Sequence, residues 1–169
     1  MKIGIMSDTH EDYTTIKWAV NFFNKKDIKF LIHLGDIISP IMYNYFKEYC
    51  GEYLFIYGNN DGERRYLKTK FDNIFEPPYL FEKFDKRFYL THIPVNWDKV
   101  IAKHNPDFIF FGHTHEIFFE KRDSTVIFNP GESCGLLENE HNISVLDLEK
   151  NKIKIFERGV HGEKTSYSF

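Results

Sequence analysis

Cysteine is scarce in this chain: only Cys50 and Cys134 occur among 169 residues, far apart and in no C-x-x-C spacing. That excludes a disulfide scaffold and offers no thiolate zinc site, so both read as small buried or half-buried residues. Long apolar runs are also missing. No window reaches the roughly 18 apolar residues of a membrane span, and Asp8 arrives before a signal-peptide core could form, so no membrane association and a cytoplasmic location are expected. Neither sign of charge dominates, with 22 Lys+Arg against 25 Asp+Glu and a net charge of -3. Without a basic field, tight binding of long nucleic acid is disfavoured and none is expected as a partner. No internal repeat, low-complexity stretch or Pro/Gly linker divides the chain, which points to one domain over residues 1–169. Aromatic residues, by contrast, are plentiful: 18 Phe and 10 Tyr predict a core dense in rings.

Short apolar runs that stop at polar clusters organise the first half. Met1 to Met6 reads as a buried strand ending in Ser7-Asp8-Thr9-His10. Ile16, Ala19, Val20 and Phe23 then fall at i, i+3, i+4 and i+7, predicting a helix from about Tyr13 to Lys25. Phe30 to Leu34 repeats the strand and stops at Gly35-Asp36; a weaker helix over Ile41 to Tyr49 follows Ser39-Pro40. Tyr53 to Tyr57 is the third strand, cut by Gly58-Asn59-Asn60-Asp61-Gly62. Three such units argue for a largely parallel sheet covered by helices. Beyond Tyr79 the texture changes. Tyr79 to Phe84 and Arg87 to Thr91 form a plausible hairpin around Asp85-Lys86, and a short helix near Trp97, Val100 and Ile101 is capped by Asn96. Phe108 to Phe111 is another apolar strand, and Ile117 to Lys121, Thr125 to Phe128, Ile143 to Leu148 and Ile153 to Phe156 complete a mostly antiparallel second half. The expected fold class is α/β (α+β): two facing mixed β-sheets flanked by helices, a four-layer αββα sandwich.

Five polar clusters stand directly after strands: Asp8-Thr9-His10, Gly35-Asp36, Gly58 to Asp61, Thr91-His92 and Gly112-His113-Thr114-His115. In a parallel sheet all strand ends of one sense share an edge, so these clusters can converge there. Asp8, His10, Asp36, Asn59, His92, His113 and His115 offer oxygen and nitrogen donors, the set that suits Mn²⁺, Fe²⁺, Co²⁺, Ni²⁺ or Zn²⁺. The donors are too many for one tetrahedral ion. They fit two ions sharing a carboxylate, about 3.5 to 4 Å apart as in two-metal hydrolytic centres. Asp8 and His10, at i and i+2, share a face if the segment is extended. His113 and His115 have the same spacing, but lie where the chain turns, so they either share an ion or divide between two. Singly, each cluster also has an ordinary explanation as a helix cap or tight turn; their joint order is the signal.

That order resembles the calcineurin-like metallophosphoesterases, whose pattern is D-x-H, G-D, G-N-H-[D/E], a lone His and G-H-x-H. It looks closest to the compact prokaryotic phosphodiesterase branch, which ends soon after a turn like Asn129-Pro130-Gly131 here. The resemblance implies that Asp8, His10, Asp36 and His115 hold one ion and that Asp36, Asn59, His92 and His113 hold another, with Asp36 bridging. It also implies a dinuclear phosphodiesterase acting on a small phosphodiester through a metal-bridging hydroxide, with Mn²⁺ the favoured metal. On that reading Asp36, Asn59 and His113 carry catalysis, while Asn60 and Arg64 are candidate substrate contacts. Asn60 stands where many phosphomonoesterases of the superfamily have His. An amide supplies no proton near neutral pH, which favours diesters and acidic leaving groups over alkyl phosphomonoesters. Ile93-Pro94 follows His92 in place of the more usual Gly-His, altering one wall of the pocket, and Glu132 stands where Ser is common in related proteins.

Alternatives within the resemblance are a phosphomonoesterase, a nuclease, or a metal-binding scaffold with little activity, like the retromer subunit that shares the fold. A basic groove and a capping domain, the marks of the nuclease, are missing, and all ligand positions are filled, which disfavours the scaffold. A homo-oligomer is plausible from the β-rich, aromatic second half. Of the other residues, His33 reads as core, His104 as a helix C-terminal cation, and His141 and His161 as solvated. Arg64 and Arg65 either reach a substrate phosphate or lie on a solvated helix face. Phe118 and Phe119 read as core.

Overall fold

The computed structural model describes all residues from Met1 to Phe169. Alternation along β1 (Lys2–Met6) sends Ile3 and Ile5 to one face and Met6 to the other. Helix α1 (Tyr13–Lys25) follows with the bounds that its periodicity predicts. The Asp12 carboxylate accepts from the backbone N–H groups of Thr14 and Thr15 at 3.0 and 3.1 Å, satisfying amides that a helix start leaves free. The stripe Ile16, Ala19, Val20 and Phe23 is buried. Gly4 lets this helix lie close to the strand, since a Cβ there would stand 3.0 Å from the Phe23 ring.

Strands β2 (Phe30–His33) and β3 (Glu52–Ile56) extend the sheet in parallel. Between them the helix expected over Ile41 to Tyr49 is cut short: a 3₁₀ turn (Pro40–Met42) runs into a single turn of α2 (Tyr43–Phe46). Contacts with the α1–β2 connection override local preference here. The Tyr49 hydroxyl donates to the Ile28 carbonyl at 2.8 Å, and the Cys50 N–H donates to Asn24 Oδ1 at 2.9 Å. Two further elements have no signal in the hydrophobic pattern: α3 (Arg64–Lys70), in which only Leu67 is buried, and the two-residue β4 (Ile74–Phe75).

The hairpin of β5 (Tyr79–Lys83) and β6 (Lys86–Leu90) forms as expected, its turn carried by Phe84 and Asp85 at φ 57° each. Helix α4 (Trp97–His104) starts where Asn96 accepts from the Lys99 N–H at 3.0 Å and stops at Asn105, which adopts φ 43°. The chain is completed by β7 (Phe108–Phe110), β8 (Ile117–Arg122), β9 (Thr125–Pro130), β10 (Asn142–Asp147), β11 (Lys152–Glu157) and a short polar β12 (Thr165–Ser168) that the pattern does not reveal.

These strands make two mixed sheets, ordered β12-β11-β10-β1-β2-β3-β4 and β5-β6-β7-β9-β8. The second half is less antiparallel than expected, because β6, β7 and β9 pair in parallel. Helix α4 supplies the crossover from β6 to β7, and antiparallel β8 returns the chain so that β9 runs with β7. One core lies between the sheets, where Ile3, Ile32 and Ile56 meet Phe88, Phe110 and Phe128. A second lies beneath α1, α2 and α3, and a third holds α4 against Tyr89, Ile109 and Phe111. The result is the four-layer αββα sandwich. Rings dominate it: Phe88 stacks on Phe81 and Phe108 at 4.9 and 5.2 Å between centroids. Each such buried ring contributes about 1.5–3 kcal/mol.

Two smaller expectations are corrected. Cys50 is exposed, because it closes the turn before β3, and Phe118 is 36% exposed, because β8 is an edge strand whose outer face meets solvent. No helix is long and apolar enough to cross a membrane.

Candidate metal centre

All five polar clusters stand at the C-terminal ends of parallel strands, β1, β2 and β3 in one sheet and β6 and β7 in the other. The backbone turns sharply at these ends. Asp8, His10, Asp36, His113 and His115 all have positive φ, between 37° and 67°, a left-handed conformation uncommon for residues with a Cβ and concentrated at functional sites. The expectation that Asp8 and His10 share one face of an extended segment is therefore wrong in its reason: the segment is a turn. Their side chains still meet, with His10 Nε2 4.0 Å from Asp8 Oδ1. Glycine permits the approach of neighbouring loops, since a Cβ on Gly58 would lie 2.1 Å from Asp36 Oδ1 and one on Gly112 2.1 Å from Ser7 Oγ.

Asp36 is the hub. Its Oδ2 lies 3.4 Å from His10 Nε2 and 3.4 Å from His92 Nε2. Asp8 Oδ1 lies 3.6 Å from His115 Nε2 and 3.9 Å from His92 Nε2. Metal bonds of about 2.0–2.2 Å separate neighbouring tetrahedral ligand atoms by about 3.3 Å, close to these spacings. His115 packs against His10 at 5.2 Å between ring centroids and His113 against His92 at 5.3 Å, so the two histidines of the G-H-x-H segment face different neighbours. Asp8, Asp36, His92 and His115 are buried, His10 half-buried, and His113 and Asn59 exposed at the rim. His10 Nε2 and His92 Nε2 are buried atoms without a hydrogen-bond partner in the protein, which fits donors aimed at a cation rather than at the chain.

Three of the ligand candidates, His92, His115 and Asp36, are held from behind. His92 Nδ1–H donates to the Leu34 carbonyl at 2.7 Å and His115 Nδ1–H to Glu132 Oε2 at 2.6 Å, so both rings present Nε2 to the centre. Asp61 clamps the Asp36 loop, accepting from the N–H groups of Asp36, Ile37, Ile38 and Gly58 at 2.7–3.0 Å. His33 joins two loops: the Gly35 N–H donates to its Nδ1 at 3.1 Å, and its Nε2 meets Thr9 Oγ1 at 3.1 Å. It lies in the core as expected, yet has polar partners on both nitrogens.

Charge follows from burial and these contacts. Burial pushes the Asp8 carboxyl up. Burial acts the same way on Asp36, but the His92 imidazole and the Asn60 backbone and side-chain donors outweigh it and hold Asp36 well below the usual carboxylate range. His92 loses basicity to burial and regains more from Asp36 and Asp8, ending above the ordinary histidine value.

The proposed substrate contacts are already engaged within the chain. Asn60 Nδ2 donates to Asp36 Oδ2 at 2.7 Å, and Arg64 donates to the Asp61 and Gly58 carbonyls at 3.2 and 3.0 Å while pairing with Glu76. Sequence reasoning missed the anchoring roles of Asp61, His33 and Glu132. Asp61 carried a signal as the acidic end of its motif and Glu132 as a departure from the Ser common in related proteins, though neither revealed its partner; His33 carried none. Cys134, expected to be buried or half-buried, is buried, and its Sγ lies within 4.8 Å of donor atoms of His10 and His115. Burial pushes this thiol up to about 12, so it is a neutral group. His141, expected to be solvated, is half-buried against Ser133, Thr15 and Arg158 at 3.0–3.2 Å.

A sandwich of two facing mixed sheets with a carboxylate–imidazole cluster at its parallel strand ends defines a phosphoesterase of the metal-dependent kind. The chain belongs to the calcineurin-like phosphoesterase superfamily, whose domain model matches residues 1–151. It is 37% identical over 161 residues to phosphodiesterase MJ0936 of Methanocaldococcus jannaschii, covering 91% of this chain and 97% of that protein. The solved structure of an archaeal phosphodiesterase superposes with a TM-score of 0.83 at 35% identity, over 93% of this chain and 99% of the other. YfcE, a phosphoesterase from E. coli, shares the fold at a TM-score of 0.77 and 19% identity over 99% of both chains.

Proposed function

We propose that this chain is a phosphodiesterase that holds two divalent transition-metal ions, with Mn²⁺ favoured, and hydrolyses a small phosphodiester. One observation carries the reading. Asp36 Oδ2 stands 3.4 Å from both His10 Nε2 and His92 Nε2, and neither imidazole atom has a partner in the protein. A carboxylate between two such donors suits a shared ligand, with Asp8, His10 and His115 on one side and Asn59, His92 and His113 on the other. Identity of 37% to a phosphodiesterase over nearly the whole chain supports the same activity.

Two bound cations would supply positive charge to phosphate oxygens and acidify a water toward neutrality. The chain's own contribution is to hold the donors ready. Glu132 and the Leu34 carbonyl fix the His115 and His92 tautomers, and Asp61 fixes the loop that carries Asp36. Asn60 orients the Asp36 carboxylate but has no titratable proton to give a leaving oxygen. The site is therefore matched to esters whose leaving group departs without protonation, such as nitrophenyl diesters, rather than to alkyl monoesters.

The test is hydrolysis of bis-nitrophenyl phosphate, nitrophenyl phosphate and glycerol phosphate by metal-stripped protein, with Mn²⁺, Ni²⁺, Zn²⁺ or Mg²⁺ added back. Diester cleavage restored by a transition metal and lost in Asn59→Ala and His113→Ala is the expected result. Equal activity without metal, or faster cleavage of glycerol phosphate than of the diester, would overturn it.

A further inference from the structure

Beside the second half of the centre lies a cavity of about 260 Å³ that none of the seven candidate ligands needs in order to meet. Asn59 and His92 form its inner end. Its walls come from both sheets: Tyr57 after β3, Arg64 at the start of α3, Pro77 and Pro78 between edge strands β4 and β5, and Ile93 and Val95 after β6. The outer wall is apolar and open, with Ile93 48% and Val95 42% exposed. Exposed aliphatic groups directly after a buried ligand candidate carry an unfavourable hydration free energy that a covering apolar group removes.

The charge of the cavity narrows what fits. Arg64 is the one arginine or lysine in its wall, and its guanidinium is held at Gly58, Asp61 and Glu76, with its Cζ 5.0 Å from the centroid of the Tyr57 ring. Glu76 neutralises it. A second phosphate or carboxylate would meet a balanced ion pair and aliphatic carbon, so the walls select an uncharged group. Size narrows it further. A cavity of about 150 Å³ accommodates benzene, so this space takes a single or small fused ring.

We infer that this cavity is a specificity subsite that takes one flat, uncharged, apolar arm of the phosphodiester, an aryl or nucleobase-type ring, seated between Pro77-Pro78 and Ile93-Val95. The inference rests on the phosphodiesterase reading above and deepens it, because the arm's phosphorus would lie at the Asn59 and His92 end. Ile93 and Val95 act on binding: they bury the ring and leave the donors of the centre in place.

Single-arm inhibitors read the subsite without ambiguity about which arm enters. Phenylphosphonate and methylphosphonate are compared as inhibitors of bis-nitrophenyl phosphate cleavage by Mn²⁺-loaded full-length protein, in wild type, Ile93→Ser, Val95→Asp and Val160→Ser. Val160 is exposed and lines no part of the cavity. The phenyl compound should inhibit about tenfold more strongly than the methyl compound in wild type and Val160→Ser, with the ratio falling to about threefold or less in the other two variants. A ratio that is the same in all four proteins, or no phenyl preference in wild type, would overturn the subsite while leaving the phosphodiesterase reading intact. If no diester is cleaved, that reading fails, and calorimetry with the same two phosphonates decides the cavity alone. A phenyl preference lost in Val95→Asp then supports it, and equal binding overturns it.

Discussion

Glu132 holds the imidazole of His115 from behind, its Oε2 2.6 Å from Nδ1, while the same carboxylate accepts from the backbone N–H groups of Leu137 and Glu138. Burial alone would raise the Glu132 carboxyl, but these donors outweigh it and keep it below the ordinary range. Glu132 is thus an anion lodged between a metal-ligand candidate and the loop after β9. Glu132→Gln keeps the size and an acceptor oxygen but loses the charge. Partners of this kind typically change metal affinity 10- to 100-fold, so under the proposed two-ion reading one site should weaken by about that factor in calorimetric titration with Mn²⁺. Two sites of unchanged affinity would refute the assignment.

His33 makes a pH prediction. Burial, aided by the charges of His92 and His10, pushes its pKa down from 6.5 to about 3. Between those values the unfolded chain binds the proton and the folded chain does not. Stability from this residue is therefore complete above about pH 6.5 and is lost as pH falls toward 3, with a slope of at most about 1.4 kcal/mol per pH unit. Urea unfolding of metal-free wild type and His33→Gln at pH 6.5, 5.5 and 4.5 isolates it. The variant should show the shallower slope, and parallel slopes would mean that His33 takes up a proton in the folded state.

The Asp61 carboxylate serves four backbone N–H groups on two loops. Its replacement in Asp61→Ala leaves buried donors unpaired at about 1–3 kcal/mol each, so unfolding free energy should fall by more than about 3 kcal/mol. Asp61→Asn retains one acceptor oxygen and should lose less. A change under about 1 kcal/mol in Asp61→Ala would show that water replaces the carboxylate at no cost.

Metal removal should lower stability without unfolding the sandwich, whose cores do not depend on the centre. A ligand that binds only the folded state at 100 times its Kd stabilises by about 2.7 kcal/mol. Adding Mn²⁺ to chelator-treated protein should therefore raise Tm by several degrees. The shift should disappear in Asp36→Asn if Asp36 is the shared ligand proposed above, because the amide is a weaker donor than the carboxylate. An identical shift in that variant would place the stabilising ions elsewhere.

The core makes a fifth prediction. Phe88 is fully buried between the sheets and stacked on two rings, so Phe88→Ala should cost about 3–5 kcal/mol in urea unfolding. A loss under about 1 kcal/mol would mean that Phe81 and Phe108 close over the gap.

Local patterning determined the elements and their chemistry. The α1 stripe, the Asn96 cap and the apolar strands that end in Asp, Asn and His are all readable because burial periodicity and capping act over a few residues. The donor set and its order were legible for the same reason: each cluster lies within five residues of a strand end. Tertiary structure decided what depends on residues distant in the chain. It made β6, β7 and β9 parallel through α4 and β8, stopped α2 early at the Tyr49 and Cys50 contacts, and recruited α3, β4 and β12, whose burial is too slight to leave a period. Only the folded chain brings Glu132 to His115 across 17 residues and Asp61 to the Asp36 loop across 25. An acidic side chain looks the same in sequence whether water or a buried imidazole lies opposite it, and the packing of the two sheets settles which it meets.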